Sequence, residues 1–347
     1  EMYRAAPEGE RDLAAIERLF EQARDHETLS RDARFNLAVI AMERGDLPGA
    51  TTAFRALTDE DPTFAAGLAN IGYIQMMRQD FAGARSTFDE CLARRDTEPG
   101  CNINLALLYA LGQAPLPVGT NATSAQIERL RFALGGDGAN ADAYARLSKI
   151  YYEQGQLQLA RLVCENAVLL GIDEAVLHNR LGLIELRENN VIAAYREFQR
   201  AVELDPGMTA AWVNVGAMAM SFRDYEVAVT SFERVVRLRP DDHEARLSYG
   251  AALRGIDDLD GARREYEAVL SARSNDPGAL FNLALLEQEG RQNYPEACRY
   301  YVRYLGVAGA HPRVDDARRR LTNLRSLLDS LVFLGEATPE DAAACSL

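Results

Sequence analysis

The segment TAAWVNVGAMAMSFRDYEVAVTSFERVVRLRPDD, residues 209–242, predicts two short amphipathic helices joined by a tight turn. In its first half, small and apolar residues recur at spacings of three and four and share one helix face: Trp212, Val215, Gly216 and Ala219. The second half repeats this spacing with Ala228, Phe232 and Val235. Pro240 ends the second helix because proline has no amide hydrogen to donate. Gly216 falls on the packed face, where only a very small side chain lets a neighbouring helix approach closely.

This pattern recurs along almost the whole chain in one register. The small residue of the first helix falls every 34 residues, with a single step of 42: Ala38, Gly72, Ala106, Ser148, Gly182, Gly216, Gly250 and Ala284. The small residue of the second helix follows the same period: Ala50, Ala84, Ala160, Ala194, Ala228 and Ala262, with Ala297 one residue late. Four residues further on comes a larger residue: Phe54, Phe88, Cys164, Phe198, Phe232, Tyr266 and Tyr301. The fold prediction therefore rests on periodicity and not on any single residue.

The spacing W…VG…A…F…V…P over 34 residues resembles the tetratricopeptide repeat (TPR) family. The resemblance implies an all-α, right-handed superhelix (an α-solenoid) of about eight helix-turn-helix repeats, followed by a C-terminal capping helix. Residues 1–30 form an N-terminal segment with a half-repeat helix, and residues 312–347 form the capping helix and a tail that we expect to be disordered at its end. The repeats between them are 31–64, 65–98, 99–140, 141–174, 175–208, 209–242, 243–276 and 277–311.

Two insertions and the capping helix complete this organisation. The third repeat holds eight extra residues in the proline- and glycine-rich stretch 112–123, which predicts a loop between its helices. The eighth repeat has one extra residue before Tyr294. After Pro312, one apolar stripe predicts the capping helix: Val314, Ala317, Leu321, Leu324, Leu328 and Leu331. We expect four nearby tyrosines to pack against it: Tyr294, Tyr300, Tyr301 and Tyr304.

Composition excludes several classes of protein. Hydrophobic residues make up 48% of the 347 residues, which is ample for a core, but no apolar run is long enough to span a bilayer. A net charge of −14 argues against nucleic-acid binding, which needs dense basic patches. The four histidines show no metal or triad spacing, and no phosphate-binding glycine motif is present, so we expect no cofactor, no metal and no catalysis.

The cysteines do not decide between a reducing and an oxidising compartment. Cys164 stands where other repeats have phenylalanine, which predicts a buried, small hydrophobic residue. Cys91 and Cys101 lie near the junction of two repeats and would pair in an oxidising compartment, but remain thiols in a reducing one. The chain starts with Glu1 and not methionine, from which we expect that an upstream segment, such as a signal peptide or a lipid-attachment cysteine, has been removed.

One face of the first helices carries a row of amides. Position 6 of successive repeats is asparagine in five of eight cases: Asn36, Asn70, Asn104, Arg146, Arg180, Asn214, Ser248 and Asn282. An asparagine amide offers a donor and an acceptor and can pair with one peptide unit of an extended chain. The row resembles the asparagine ladder of TPR proteins that hold extended peptides in the concave groove. The alternative is that asparagine is merely common at this TPR position.

Positions 5 and 9 of the same face are mostly apolar: Phe35, Val39, Tyr73, Ile103, Leu107, Leu183, Val213, Leu247, Phe281 and Leu285. Exposed apolar rows of this kind usually mean a partner; the alternative is that superhelical curvature buries part of the face. Arg146 and Arg180 could together hold one acidic side chain of a partner, or pair with carboxylates on the groove wall. Lys149 is the only lysine, so we expect no lysine-based clamp for a C-terminal carboxylate.

These features predict a non-enzymatic scaffold that binds a partner peptide or helix in the concave groove. One alternative is a structural subunit that uses its convex surface or the 112–123 loop. Another is the targeting half of a larger, transferase-type enzyme. The arginine-rich, lysine-poor composition favours a GC-rich bacterium, and the chain resembles bacterial cell-envelope TPR lipoproteins, including those of gliding-motility machinery. That resemblance implies an outer-membrane-associated periplasmic protein, with the cytoplasm as the alternative.

Overall fold

A computed structural model describes residues 13–24 and 30–346, and every regular element in these two ranges is helical. The first ten helices are α1 (Leu13–Ala23), α2 (Ser30–Glu43), α3 (Leu47–Glu60), α4 (Ala66–Met77), α5 (Phe81–Arg94), α6 (Pro99–Ala110), α7 (Ala122–Gly136), α8 (Ala141–Glu153), α9 (Leu157–Leu169) and α10 (Ala175–Arg187). The others are α11 (Val191–Leu204), α12 (Thr209–Phe222), α13 (Tyr225–Leu238), α14 (His243–Gly255), α15 (Leu259–Ala272), α16 (Pro277–Leu285), α17 (Tyr294–Val307), α18 (Val314–Leu334) and α19 (Pro339–Ala343). The predicted all-α repeat fold is confirmed.

The chain divides into two compact units, Glu1–Arg180 and Leu181–Leu347, called the N-terminal and C-terminal units below. In each unit, consecutive helices pack against one another as antiparallel hairpins. The half-repeat helix predicted in the first 30 residues corresponds to α1. The remainder of that prediction, residues 1–12 and 25–29, lies outside the described residues, as does Leu347.

The turn inside most hairpins uses the same device. One residue takes a positive φ and reverses the chain: Gly45, Gln79, Gly155, Asn189, Arg223, Asp257 or Gln292. The next residue caps the second helix in most repeats, as Asp224 does by accepting a hydrogen bond from the Val227 amide at 3.3 Å. Such a cap satisfies one of the amides that have no partner within the helix. The left-handed residue and the cap together fix where each hairpin turns.

Each hairpin is closed by a small residue facing a large one. A Cβ added to Gly216 would lie 2.9 Å from Cζ of Phe232, and one added to Gly250 would lie 2.5 Å from Cε1 of Tyr266. Both rings are buried, so neither can retreat into solvent. The predicted close approach at Gly216 is therefore confirmed. It explains why a glycine or alanine of the first helix is paired with an aromatic ring of the second helix at this contact.

The C-terminal unit ends as predicted. In α18, the apolar stripe is buried at Ala317, Leu321, Leu324 and Leu328, and it packs in one cluster with Tyr301 and Tyr304 of α17. The extra residue of the last repeat is absorbed in a π-helical turn, Leu286–Gly290, directly after α16. A π turn accommodates one added residue without shifting the helices on either side out of register.

Two disulfides join separate segments of the chain, 10 and 47 residues apart. Cys91 of α5 is bonded to Cys101 of α6, and Cys298 of α17 is bonded to Cys345 beyond α19. The second bond corrects the prediction of a disordered tail, because residues 339–343 are helical and Cys345 is only 3% exposed. Cys164 is buried and is not part of a disulfide, as its place in the repeat indicated. In the described ranges, no helix is long and apolar enough to cross a bilayer.

Candidate functional site

The N-terminal unit has an open cavity of about 400 Å³ on the face predicted to bind a partner. It lies between α4, α6 and the start of α8. The cavity brings together three of the predicted site residues, Asn70, Tyr73 and Asn104. Its other lining residues are Ala66, Ala69, Glu98, Pro99, Gly100, Ile103, Asp137, Asn140 and Asp142. We call this cavity the N-terminal groove.

The asparagine amides are only partly engaged by the protein itself. Asn36 and Asn70 each donate from Nδ2 to the carbonyl four residues earlier in their own helix, at 2.7 and 3.2 Å. The side chain of Asn104 makes no hydrogen bond within the described part of the chain, and Asn70 makes no other. One face of each amide in the groove is therefore available to a ligand peptide unit.

Carboxylates, which the sequence reasoning did not single out, give the N-terminal groove its charge. Glu98 stands immediately before α6, Asp137 immediately after α7, and Asp142 in the first turn of α8. Burial raises the pKa of the Glu98 carboxyl, and the guanidinium of Arg95 lowers it in part. Glu98 and Asp137 flank helices, so the spacing that defines a helix face did not indicate them. Asp142 could have been found, because it lies four residues before Arg146.

The two predicted arginines already have partners in the N-terminal unit. Nε of Arg146 lies 2.9 Å from both carboxylate oxygens of Asp142, one helical turn earlier. The guanidinium of Arg180 lies 5.1 Å from the centroid of the Tyr152 ring. Arg146 therefore pairs with a carboxylate on the groove wall, which was the alternative to its binding an acidic side chain of a partner. That pairing neutralises Asp142.

The predicted apolar row is more buried than the sequence indicated. Tyr73 and Val213 are 40% and 38% exposed. Leu107 and Phe35 are half-buried against the N-terminal core, where Phe35 makes an edge contact with Phe54 at 5.4 Å between centroids. Packing therefore reduces the apolar surface that this face offers to a partner.

Phe281 is the clear correction among the predicted binding residues, because it is only 2% exposed. Its ring makes edge contacts with Tyr301 and Tyr304, at centroid distances of 5.9 and 5.3 Å. The guanidinium of Arg313 lies over it at 4.9 Å. The segment that leads into α18 thus helps to cover Phe281, whereas the equivalent Val213 is 38% exposed and the equivalent Ile103 is buried.

The C-terminal unit has its own cavity of about 510 Å³ on the equivalent face, formed by α12, α14, α16 and the segment before α18. Asn282 lines it, and within the described residues its side chain makes no hydrogen bond. Val213 and Asn214, predicted on the same row, do not line this cavity. Apolar and basic groups dominate its wall: Met220, Leu247, Phe281, Arg254, His311 and Arg313. The two cavities therefore differ in charge, and the N-terminal groove is the acidic one.

Comparisons with solved structures agree with this fold. The chain is similar to one in the crystal structure of the APC/C hetero-tetramer Cut9–Hcn1, with 16% sequence identity, a TM-score of 0.56, and coverage of 79% of this chain and 52% of that one. It is also similar to Pseudomonas aeruginosa PilF, with 16% identity, a TM-score of 0.52, and coverage of 66% of this chain and 97% of that one. The chain spans about half the length of the first of these. No curated protein matches its sequence.

A family profile identifies the repeats directly. The tetratricopeptide repeat profile matches residues 11–63, 41–99, 179–241 and 216–277, which together make up more than half of the chain. These matches fall in both units and cover the hairpins in which Gly72, Gly216 and Gly250 face aromatic rings. The chain belongs to the tetratricopeptide repeat family.

Proposed function

We propose that this protein is a non-enzymatic interaction scaffold that binds an extended segment of a partner protein in the N-terminal groove. The observation that carries the proposal is the alignment of Asn70, Asn104 and the exposed ring of Tyr73 along one open cavity. Free amide faces one repeat apart can pair with peptide units a few residues apart in an extended chain. Tyr73 adds apolar contact area at a small cost in conformational entropy.

The test is replacement of the asparagines. A tagged protein purified from its host supplies the partner, and its affinity is then measured with the purified components. The double variant Asn70→Ala with Asn104→Ala should bind at least about tenfold more weakly, since each lost hydrogen bond contributes about 1 kcal/mol. Asn323→Ala is the matched control because Asn323 is an exposed asparagine of α18, remote from the groove in sequence. Equal affinity of the double variant and the wild type would refute groove binding.

A second candidate function is a structural subunit that assembles through the loop between α6 and α7. In this loop Val118 is fully exposed and Leu116 is 41% exposed, an unusual pair of apolar side chains to leave in solvent. If this candidate is right, Leu116→Ser with Val118→Ser should abolish assembly while the asparagine variants still assemble. The remaining alternative, the targeting half of a larger transferase-type enzyme, is tested by the sequence of the complete gene.

For its location we propose an oxidising compartment, namely the periplasm in association with the outer membrane, as part of an envelope, secretion or motility assembly. Two disulfides that join separate helices support this proposal, because such bonds persist mainly outside the reducing cytoplasm. The test is a count of free thiols in protein isolated from its host without reductant. One free thiol supports the proposal, and five would place the protein in the cytoplasm.

A further inference from the structure

The charge of the N-terminal groove defines the chemistry of its ligand. We propose that the partner segment inserts a cationic side chain, arginine or lysine, against Glu98 and Asp137 at one end of the groove. This inference rests on the proposed function and adds to it a statement about the partner's sequence. Three features of the groove support it. Glu98 is buried, Asp137 has no arginine partner among the described residues, and the polar side chains other than the carboxylates are neutral.

Glu98 is buried but incompletely satisfied. The residue is 8% exposed, and it lines the groove. Its Oε2 lies 3.4 Å from a guanidinium nitrogen of Arg95, whose side chain is 50% exposed. Its Oε1 accepts no hydrogen bond within the described residues. The carboxylate is largely withdrawn from water and has one long contact, so an N–H group of a ligand could form a charge-assisted hydrogen bond with its Oε1.

Asp137 provides a second negative charge at the same end. Its Oδ1 accepts from the Ala139 amide at 3.1 Å, and its Oδ2 is 3.4 Å from the amide of Asn140. In the part of the chain that the structure describes, no arginine lies within ion-pairing distance of Asp137. Asp142, by contrast, is already paired with Arg146. Of the three carboxylates in the lining, Glu98 thus has only a long contact to Arg95, and Asp137 has no arginine partner among the described residues.

Arg95 is a weak competitor for a ligand cation. Its guanidinium makes two contacts, to Glu98 at 3.4 Å and to the Gly136 carbonyl at 3.5 Å, and both are at the long limit of hydrogen bonding. It is not among the groove-lining residues. Because its side chain is half in solvent, it can move outward with the loss of only these two long contacts.

The remaining lining selects the kind of ligand. Apart from the three carboxylates, the polar side chains are neutral: Asn70, Tyr73, Asn104 and Asn140. Neutral amides suit the peptide units on either side of a charged residue, whereas a ligand with phosphate or carboxylate groups would be repelled by Glu98 and Asp137. The occupant is therefore an extended polypeptide segment with a basic residue.

The experiment uses a randomised library of displayed 12-residue peptides and the whole protein. Wild type should enrich arginine or lysine at one position of the selected peptides relative to the input library. The double variant Glu98→Gln with Asp137→Asn should lose this enrichment and bind the selected basic peptides at least about tenfold more weakly, since each charge-assisted hydrogen bond is strong. Its matched control is Asp59→Asn with Asp89→Asn, which makes the same change in net charge at exposed positions of α3 and α5. The control should retain both enrichment and affinity.

Each outcome separates the two proposals. Selected peptides without a basic preference, whose binding still depends on Asn70 and Asn104, would overturn the cationic-ligand inference and leave groove binding intact. A basic preference that survives Glu98→Gln with Asp137→Asn, or that the control variant also loses, would show general electrostatic attraction and overturn the inference. Failure to select any peptide, or selection unaffected by Asn70→Ala with Asn104→Ala, would count against both.

Discussion

The guanidinium of Arg313 lies 4.9 Å from the centroid of the Phe281 ring. Both side chains line the cavity between α14 and α16 in the last repeat of the C-terminal unit, where Phe281 is only 2% exposed. The position equivalent to Phe281 is exposed in Val213. The equivalent Ile103 is buried without a capping segment, so exposure at this position varies between repeats, and at Phe281 the capping segment contributes to the burial.

Removal of the Arg313 side chain should weaken the cap. We expect Arg313→Ala to lower the free energy of unfolding by about 0.5–1 kcal/mol, the usual contribution of a cation–π contact near the surface. Arg318→Ala is the control, since Arg318 is exposed and its nearest carboxylate is 3.9 Å away. Denaturant titration of both variants checks the difference, and equal stability of the two would contradict the role assigned to Arg313.

The glycine–ring contacts predict a large effect from a single methyl group. Gly250→Ala should destabilise the protein by about 1–3 kcal/mol, because the buried ring of Tyr266 cannot move away and overpacking strains both helices. Gly306→Ala in α17 makes the same chemical change where no atom lies within 4 Å. It should be neutral or stabilising by up to about 1 kcal/mol. Thermal unfolding followed by circular dichroism compares the two, and a similar loss in both would rule out the packing explanation.

The hairpin turns offer an opportunity for stabilisation. Arg223 has φ 60° and its side chain is exposed. Such a conformation costs a non-glycine residue about 1–2 kcal/mol, partly offset by the greater unfolded-state freedom of glycine. Arg223→Gly should therefore raise the melting temperature by a small amount, and Gly155→Ala, at φ 74°, should lower it. A lower melting temperature for Arg223→Gly would mean that the Arg223 side chain stabilises the folded state by more than the cost of its backbone conformation.

The two disulfides should differ in their contribution to stability. The Cys298–Cys345 bond closes a separation of 47 residues and the Cys91–Cys101 bond a separation of 10. In the chain-entropy treatment these loops correspond to about 4 and about 3 kcal/mol. We expect Cys298→Ala with Cys345→Ala to lower the melting temperature of the C-terminal unit more than Cys91→Ala with Cys101→Ala lowers that of the N-terminal unit. Calorimetry of both variants measures the decrease in melting temperature. A larger decrease for the Cys91 and Cys101 variant than for the Cys298 and Cys345 variant would contradict the loop-length argument.

Burial of Glu98 predicts a pH-dependent effect on stability. Because burial raises the pKa of its carboxyl, the folded state holds this proton more tightly than the unfolded state does. The stability linked to this group is present below the unfolded pKa of about 4.3 and is lost as the pH rises through the folded pKa. Glu98→Gln should therefore raise the melting temperature at pH 7 and have little effect at pH 4. An equal effect at both pH values, or a loss at pH 7, would contradict this assignment.

The helix hairpins were predictable because each one buries its own small-to-large contact at a fixed spacing, as Gly216 and Phe232 show. The amide row was predictable for the same reason, since residues one repeat apart occupy equivalent places, and Asn70 and Asn104 do meet in one groove. The exposure of each position was not predictable. Phe281 is covered by Arg313, 32 residues later, through a contact that lies outside the repeat pattern.

The sequence by itself determined the all-α repeat fold, the helix faces and the capping helix, because periodic burial is a local property of each hairpin. The tertiary structure alone decided which groups of the groove face are open, that Glu98 and Asp137 share one cavity, and that Cys345 reaches Cys298. These features depend on how loops and helix ends from different repeats come together. Periodicity cannot encode them, since each occurs once in the chain and brings together residues that occupy different places in their repeats.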